Sequence, residues 1–311
     1  MNVDELIVIT YPRHILITGI VVREAIRFQD WDKPITIIYD DLFEPSYTTY
    51  VDDLKWTLER SNPNTVFNFI PFSTFEFLTN KYFIQDPMRL GWIRQQFIKL
   101  YLDEMLCTDT WFVMDSDCIL TSTIEPNTIP YSTDLGVDII GEKFQNYWDF
   151  MYQQPIKHDV FTHANPFRFL DRELLVGLKH HIEQLHGMSF TDIHMPLLKN
   201  GIISCEMDNM IMSEWDLIEY YRANIIKQPM NMITVGLHIL PYDNIVEGIY
   251  VSTIYGQDSD LGKKWFSDNG IIISDTEFKG IVRNWMQSER EPTEGFSEIS
   301  NAMQSWNKSY I

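Results

Sequence analysis

Five short apolar runs, separated by stretches of helical periodicity, constrain this chain more than any other feature. They are ELIVIT (5–10), PITIIYD (34–40), TVFNFIPF (65–72), TWFVMD (110–115) and VDIIGE (137–142). Strands this rich in Ile, Val and Phe need cover on both faces, and their alternation with helices predicts an α/β fold with a mostly parallel central sheet flanked by helices. Helices are expected near 13–28, 47–60 and 91–106. The last, GWIRQQFIKLYLDEML, is apolar around most of its circumference, and Gln95, Lys99 and Asp103 recur at four-residue steps. That pattern predicts a half-buried helix with one polar stripe.

Past residue 145 the pattern turns aromatic and irregular. A helix then begins at Asp171, its expected N-cap, and runs through Leu174, Leu178, Ile182 and Leu185 to Gly187. Further helical periodicity covers roughly 207–225, and the tail from 226 reads as short strands and loops. No Pro/Gly/Ser linker, internal repeat or low-complexity tract divides the chain, so a single domain over 1–311 is expected, with an N-terminal half (1–145) and an elaborated C-terminal half (146–311).

Lys and Arg number 24 against 44 Asp and Glu, a net charge of −20. That balance argues against a generic grip on nucleic acid through phosphate neutralisation. Cys107, Cys118 and Cys205 lack metal-ligand spacing and suit buried thiols in a reducing compartment. The opening MNVDELIVIT places Asp4 and Glu5 where a secretory signal would be basic, and no run approaches the ~20 apolar residues of a membrane span. A cytoplasmic protein with no membrane span is the expectation.

The fourth run ends in MDSD. Two carboxylates one residue apart repel each other unless a cation lies near them, and a hard divalent ion with oxygen ligands meets that need while leaving positions for phosphate oxygens. A solvated acidic turn is the alternative. The buried character of WFVM and the position at a strand's carboxyl end, where open α/β sheets bind ligands, favour the metal.

A strand of the form aromatic-aliphatic-aliphatic-Asp-x-Asp, about a third of the way along the chain, resembles the metal-binding signature of glycosyltransferases with the A-type fold. The succession GWIRQQFIKLYL (91–102), FVMDSDCIL (112–120), FLDRELLVGLKHHIEQLHG (169–187) and SEWDLIEYY (213–221) also resembles a domain-of-unknown-function family of glycosyltransferase-like proteins from bacteria and phages. The resemblance implies a nucleotide-diphosphate-sugar donor, a UDP-sugar foremost, bound across the N-terminal half, with the C-terminal half receiving the acceptor. It implies Mn²⁺ or Mg²⁺ with Asp117 as the principal ligand and Asp115 contacting the metal or the ribose. His238, in TVGLHILPYD, is the third ligand by position.

Sugar transfer needs charge stabilisation on the departing diphosphate and a way to manage the acceptor's proton. Arg94, Gln95 and Lys99, from the Arg-Gln-Gln-x-x-Lys segment, are candidates for donor positioning, with a solvated helix face as the alternative; Ser116 joins them within the motif. Glu214 is the candidate general base. Asp216 is a second catalytic candidate, although Ser213 and Asp216 also have the spacing of a capping box. Thr10, Tyr11 and Asp40 fall at the ends of the first two strands and are candidates for holding the donor's base, Tyr11 by stacking and Asp40 by accepting a hydrogen bond. His163 and Asn165, among aromatics, are candidates for holding an acceptor sugar. The paired His180 and His181 read as a helix face.

The leading reading is therefore a divalent-metal-dependent glycosyltransferase acting on a glycan or glycoconjugate. Two rivals stand beside it. One is a phage enzyme acting on a hydroxymethylated DNA base, disfavoured by the acidity. The other is a non-catalytic nucleotide-sugar-binding module. A nucleotidyltransferase lacks support from any Gly-rich phosphate loop near the N-terminus.

Overall fold

A computed structural model describes residues 3–10, 14–42, 48–79, 87–116, 118–120, 123–125, 128–131, 140–156, 167–203, 210–228, 231–234, 249–251 and 267. In chain order the elements are β1 (Glu5–Thr10), α1 (Ile15–Gln29), β2 (Ile35–Tyr39), α2 (Thr48–Ser61), β3 (Phe67–Pro71), two 3₁₀ turns (Phe72–Thr74 and Glu76–Thr79), α3 (Pro87–Leu100), α4 (Leu102–Met105) and β4 (Thr110–Asp115). There follow β5 (Cys118–Leu120), β6 (Thr128–Tyr131), α5 (Ile140–Tyr152), β7 (Phe167–Asp171), α6 (Arg172–His186) and α7 (Phe190–Lys199). Last come α8 (Glu214–Tyr220), a π-helical turn (Tyr221–Ile225), β8 (Asn231–Thr234) and β9 (Ile249–Val251). Five strands hydrogen-bond in the order β3-β2-β1-β4-β7.

The chain divides into two compact units. The N-terminal unit comprises Glu5–Pro71, Met114–Glu125 and Val235–Ile311; the central unit comprises Met1–Asp4, Phe72–Val113 and Pro126–Thr234.

In the N-terminal unit β1, β2 and β3 are parallel. Thr10 lies level with Tyr39, and Tyr39 with Pro71, so the carboxyl ends of the three strands share one edge. Every residue of β1 is buried, and α1 covers the sheet with Ile17, Ile20, Val21 and Ala25. The buried Glu5 carboxylate accepts a hydrogen bond from the Thr36 hydroxyl, a charge-assisted contact that offsets its desolvation. α1 ends at Asp30, which takes the left-handed conformation (φ 47°) and bonds Ile26 O through its N–H. Val51, Leu54 and Leu58 form the buried face of α2. β5 pairs antiparallel with β9.

In the central unit the Asp4 N–H donates to Thr110 O at 3.0 Å, and the Arg172 N–H donates to Asp109 O at 2.8 Å. The second contact sets the end of β7 beside the start of β4, so these two strands run antiparallel. Phe112 stacks on Phe169 across these strands, centroids 4.6 Å apart. α6 forms as its ends dictate: the Asp171 carboxylate accepts from Leu174 N at 2.7 Å, and Gly187 closes the helix at φ 67°. β6 and β8 pair in parallel.

Several expectations need correction. VDIIGE is not a strand where it is described, because Ile140–Glu142 open α5; Phe144, Tyr147, Trp148 and Met151 then recur at i, i+3, i+4 and i+7 on its buried face. The polar stripe of the 91–106 helix does not face solvent. Gln95, Lys99 and Asp103 are all buried, and the helix breaks at Tyr101 into α3 and α4. Cys107 is exposed rather than buried. β7 and α7 lay in segments to which no element was assigned.

Candidate functional site

In the N-terminal unit, the named residues gather at the carboxyl ends of the strands. Thr10 is the last residue of β1, Asp40 follows β2, and Asp115 ends β4 with Ser116 next. The Asp40 N–H donates to Thr10 O at 3.0 Å, and the Asp40 carboxylate, 1% exposed, accepts from Leu42 N at 3.1 Å. The Thr18 hydroxyl donates to His14 O at 2.7 Å, so in its 2.6 Å contact with Thr10 the one remaining proton is Thr10's, and Thr10 donates. Asp115 is half-buried. Ser116 is fully buried, its hydroxyl 2.9 Å from His14 Nδ1.

Tyr11, Asp117, His163, Asn165 and His238 lie outside the described residues. Among the described residues no group of three or more His, Cys, Asp or Glu side chains is arranged to hold a metal ion. Asp115 is the one named ligand that is described. A half-buried carboxylate closing an apolar strand is the hard-oxygen donor that Mn²⁺ or Mg²⁺ takes.

In the central unit, Arg94, Gln95 and Lys99 lie along α3, and Glu214 and Asp216 open α8. All five are buried. Lys99 Nζ donates to Glu214 Oε1 at 2.7 Å with both side chains 2% exposed, and the same ammonium lies 4.4 Å from the centre of the Trp215 ring. Arg168, from β7, lies over Trp215 at 5.0 Å and pairs with Glu219 at 3.2 Å. Arg222 bonds Glu219 at 3.2 Å and Phe169 O at 2.8 Å. Ser213 caps α8, its hydroxyl oxygen accepting from Asp216 N at 3.4 Å while its proton goes to Asp216 Oδ2 at 2.7 Å, so the N-cap implied by their spacing forms. Burial lowers the Arg168 pKa; Glu219 and then Asp216 oppose that shift.

This second group is a buried array of alternating charge built around Trp215. Lys99 and Glu214 thereby fasten α3 to α8.

Sequence reasoning missed His14, Thr18, Arg168, Trp215, Glu219 and Arg222. Three of these left a local signal. Arg168 interrupts the apolar run FRFL, and Glu219 precedes Arg222 by one helical step. His14 left none, since its partner is 102 positions away.

Residues 73–193 match the profile of a family described as a family of unknown function (DUF6492). No curated protein matches the sequence. Among solved structures, one similar chain is the galactosyltransferase LgtC in complex with donor and acceptor sugar analogues, at 10% identity and TM-score 0.45, covering 89% of this chain and 99% of that one. An active-site mutant of LgtC is also similar, at 10% identity and TM-score 0.37 over 65% of this chain and 70% of that one. The apo structure of the bifunctional glycosyltransferase WbbM aligns at 13% identity and TM-score 0.43 over 91% of this chain and 52% of that one. All three are distant likenesses.

Proposed function

We propose that this protein is an A-type glycosyltransferase that moves a sugar from a nucleotide-diphosphate donor, a UDP-sugar, to an acceptor hydroxyl on a glycan or glycoconjugate. The observation that carries the reading is the end of β4: an apolar strand closing in Asp115 and a buried Ser116, at the sheet edge where Thr10 and Asp40 also end their strands. That edge is where open α/β sheets receive nucleotides.

In this reading Asp115 and Asp117 hold Mn²⁺ or Mg²⁺, with His238 as the third ligand. The bound metal supplies Lewis-acid stabilisation of the departing diphosphate. Thr10, Tyr11 and Asp40 receive the donor's base. Arg94, Gln95 and Lys99, buried along α3, are the donor-positioning residues of this reading. His163 and Asn165 face the acceptor. Glu214 takes the acceptor's proton only on parting from Lys99; its burial favours the fastening role instead.

A panel of nucleotide sugars with Mn²⁺, scored for slow donor hydrolysis, tests the reading. One donor should be hydrolysed, and hydrolysis should fall to background with a chelator and in Asp117→Ala. Absence of both hydrolysis and metal-dependent donor binding across the panel would overturn the proposal. Donor binding that survives Asp117→Ala without turnover would identify a binding module instead.

A further inference from the structure

We propose that His14 is the positioning residue for the Asp-Ser-Asp turn, holding it through Ser116 so that the turn meets a metal-bound nucleoside diphosphate already set. The proposal rests on the functional reading above and adds to it a residue that is neither a ligand nor a base.

His14 occupies the N-cap position of α1, where Ser, Thr, Asp or Asn ordinarily turn back to bond the helix's own N–H groups. Its side chain makes no such cap. The ring instead reaches Ser116, 2.9 Å away, in a segment 102 residues further on. The serine is fully buried, so its hydroxyl faces the protein interior and not a ligand. Ser116 follows directly on Asp115 as the chain turns out of β4, so anchoring its side chain inward holds the backbone that carries the half-buried Asp115.

The anchor is itself held. The His14 carbonyl accepts from Thr18, Thr18 accepts from Thr10, and the Thr10 carbonyl accepts from the Asp40 N–H. One unbroken chain of hydrogen bonds thus joins the residue after β2, the end of β1, the first turn of α1 and the residue after β4. A nucleotide spanning that edge meets its base-side and phosphate-side contacts on a single linked frame. Partners that orient metal ligands without touching the metal commonly change metal affinity about 10- to 100-fold when removed.

The test uses the full chain, with Mn²⁺ and UDP as probes. Mn²⁺ binding is followed by loss of the free-ion electron paramagnetic resonance signal, UDP binding by calorimetry at saturating Mn²⁺, and folding of each variant by thermal melting. His14→Ala should weaken Mn²⁺ and UDP binding about tenfold or more, with the melt retained. His14→Asn, which keeps a hydrogen-bonding atom where Nδ1 stood, should recover most of the loss. Ser116→Ala should weaken binding likewise, and His14→Ala with Ser116→Ala should bind no worse than His14→Ala alone, because both remove one interaction.

Wild-type binding that is matched within twofold by His14→Ala overturns the proposal and leaves the glycosyltransferase reading standing. So do losses that add in the double variant, or that His14→Asn does not recover. No Mn²⁺-dependent UDP binding by the wild type defeats the functional reading, and this inference with it.

Discussion

His194 is neutral in the folded protein. It is fully buried, Nδ1 lies 2.8 Å from Phe190 O and Nε2 lies 2.9 Å from Tyr147 Oη. A carbonyl only accepts, so Nδ1 carries the proton and Nε2 accepts from the tyrosine. Burial pushes the imidazole down to about 4, against the opposing pull of the Phe190 carbonyl. In the unfolded chain a histidine titrates near ~6.5. Between those values the unfolded state binds the extra proton, so stability is fully present above ~6.5 and is lost as the pH falls through the folded value. The displacement corresponds to about 3 kcal/mol. Urea unfolding at a series of pH values from 7 to 4 should show stability declining by an amount of that order, and the decline should shrink by most of it in His194→Gln. An unchanged decline in the variant would assign the acid sensitivity to other groups.

At the same scale, the end of β4 was legible because its signal is local: an apolar run, TWFVMD, that closes in a carboxylate. Lys99 was legible as a polar residue on an apolar helix, but its burial was not. What permits that burial is Glu214, 115 positions away, and no periodicity in one segment reports the counter-charge supplied by another.

Elements with local punctuation were readable. Asp171 and Gly187 bracket α6, and Ser213 opens α8, because caps are made by residues adjacent in sequence. VDIIGE was misread because a short apolar run fits strand and buried helix alike, and what decides for helix is the spacing that follows, from Phe144 to Met151. Within α6, Gly177 serves a packing purpose that sequence alone conceals. A Cβ there would come within 2.6 Å of Tyr221 Oη. Gly177→Ala should therefore destabilise the protein by about 1–3 kcal/mol despite the better helix propensity of alanine. Adding Tyr221→Phe removes the clashing oxygen and should restore most of the loss. Chemical denaturation of the two variants decides it, and an equally unstable double variant would mean that another contact controls the site.

For the whole molecule, the parallel sheet was legible from alternating runs, while its antiparallel edge was not: FRFLD alternates only over Phe-Arg-Phe, too short a stretch to mark a strand. Charge is the other property of this scale. At −20 the protein repels a polyanion at long range. Duplex DNA, with or without hydroxymethylated bases, should give no measurable binding in a mobility-shift titration at about 0.15 M salt, where screening leaves a Debye length of about 8 Å. Tight binding that weakens steeply with salt would reveal a local basic groove and revive the DNA acceptor.

Each compact unit is assembled from separate stretches of chain, and this sets an order of events during synthesis. β1, β2 and β3 are complete once residue 71 has been made, yet β4, the second neighbour of β1 in the sheet, ends only at residue 115. At about 5–20 residues per second, a strand β1 that is fully buried in the folded protein waits a few seconds with one edge unpaired. An open edge of that kind is a template for pairing with other chains. The interval between residues 71 and 115 is therefore one in which the nascent protein offers an open strand edge, and in which a chaperone has something to protect.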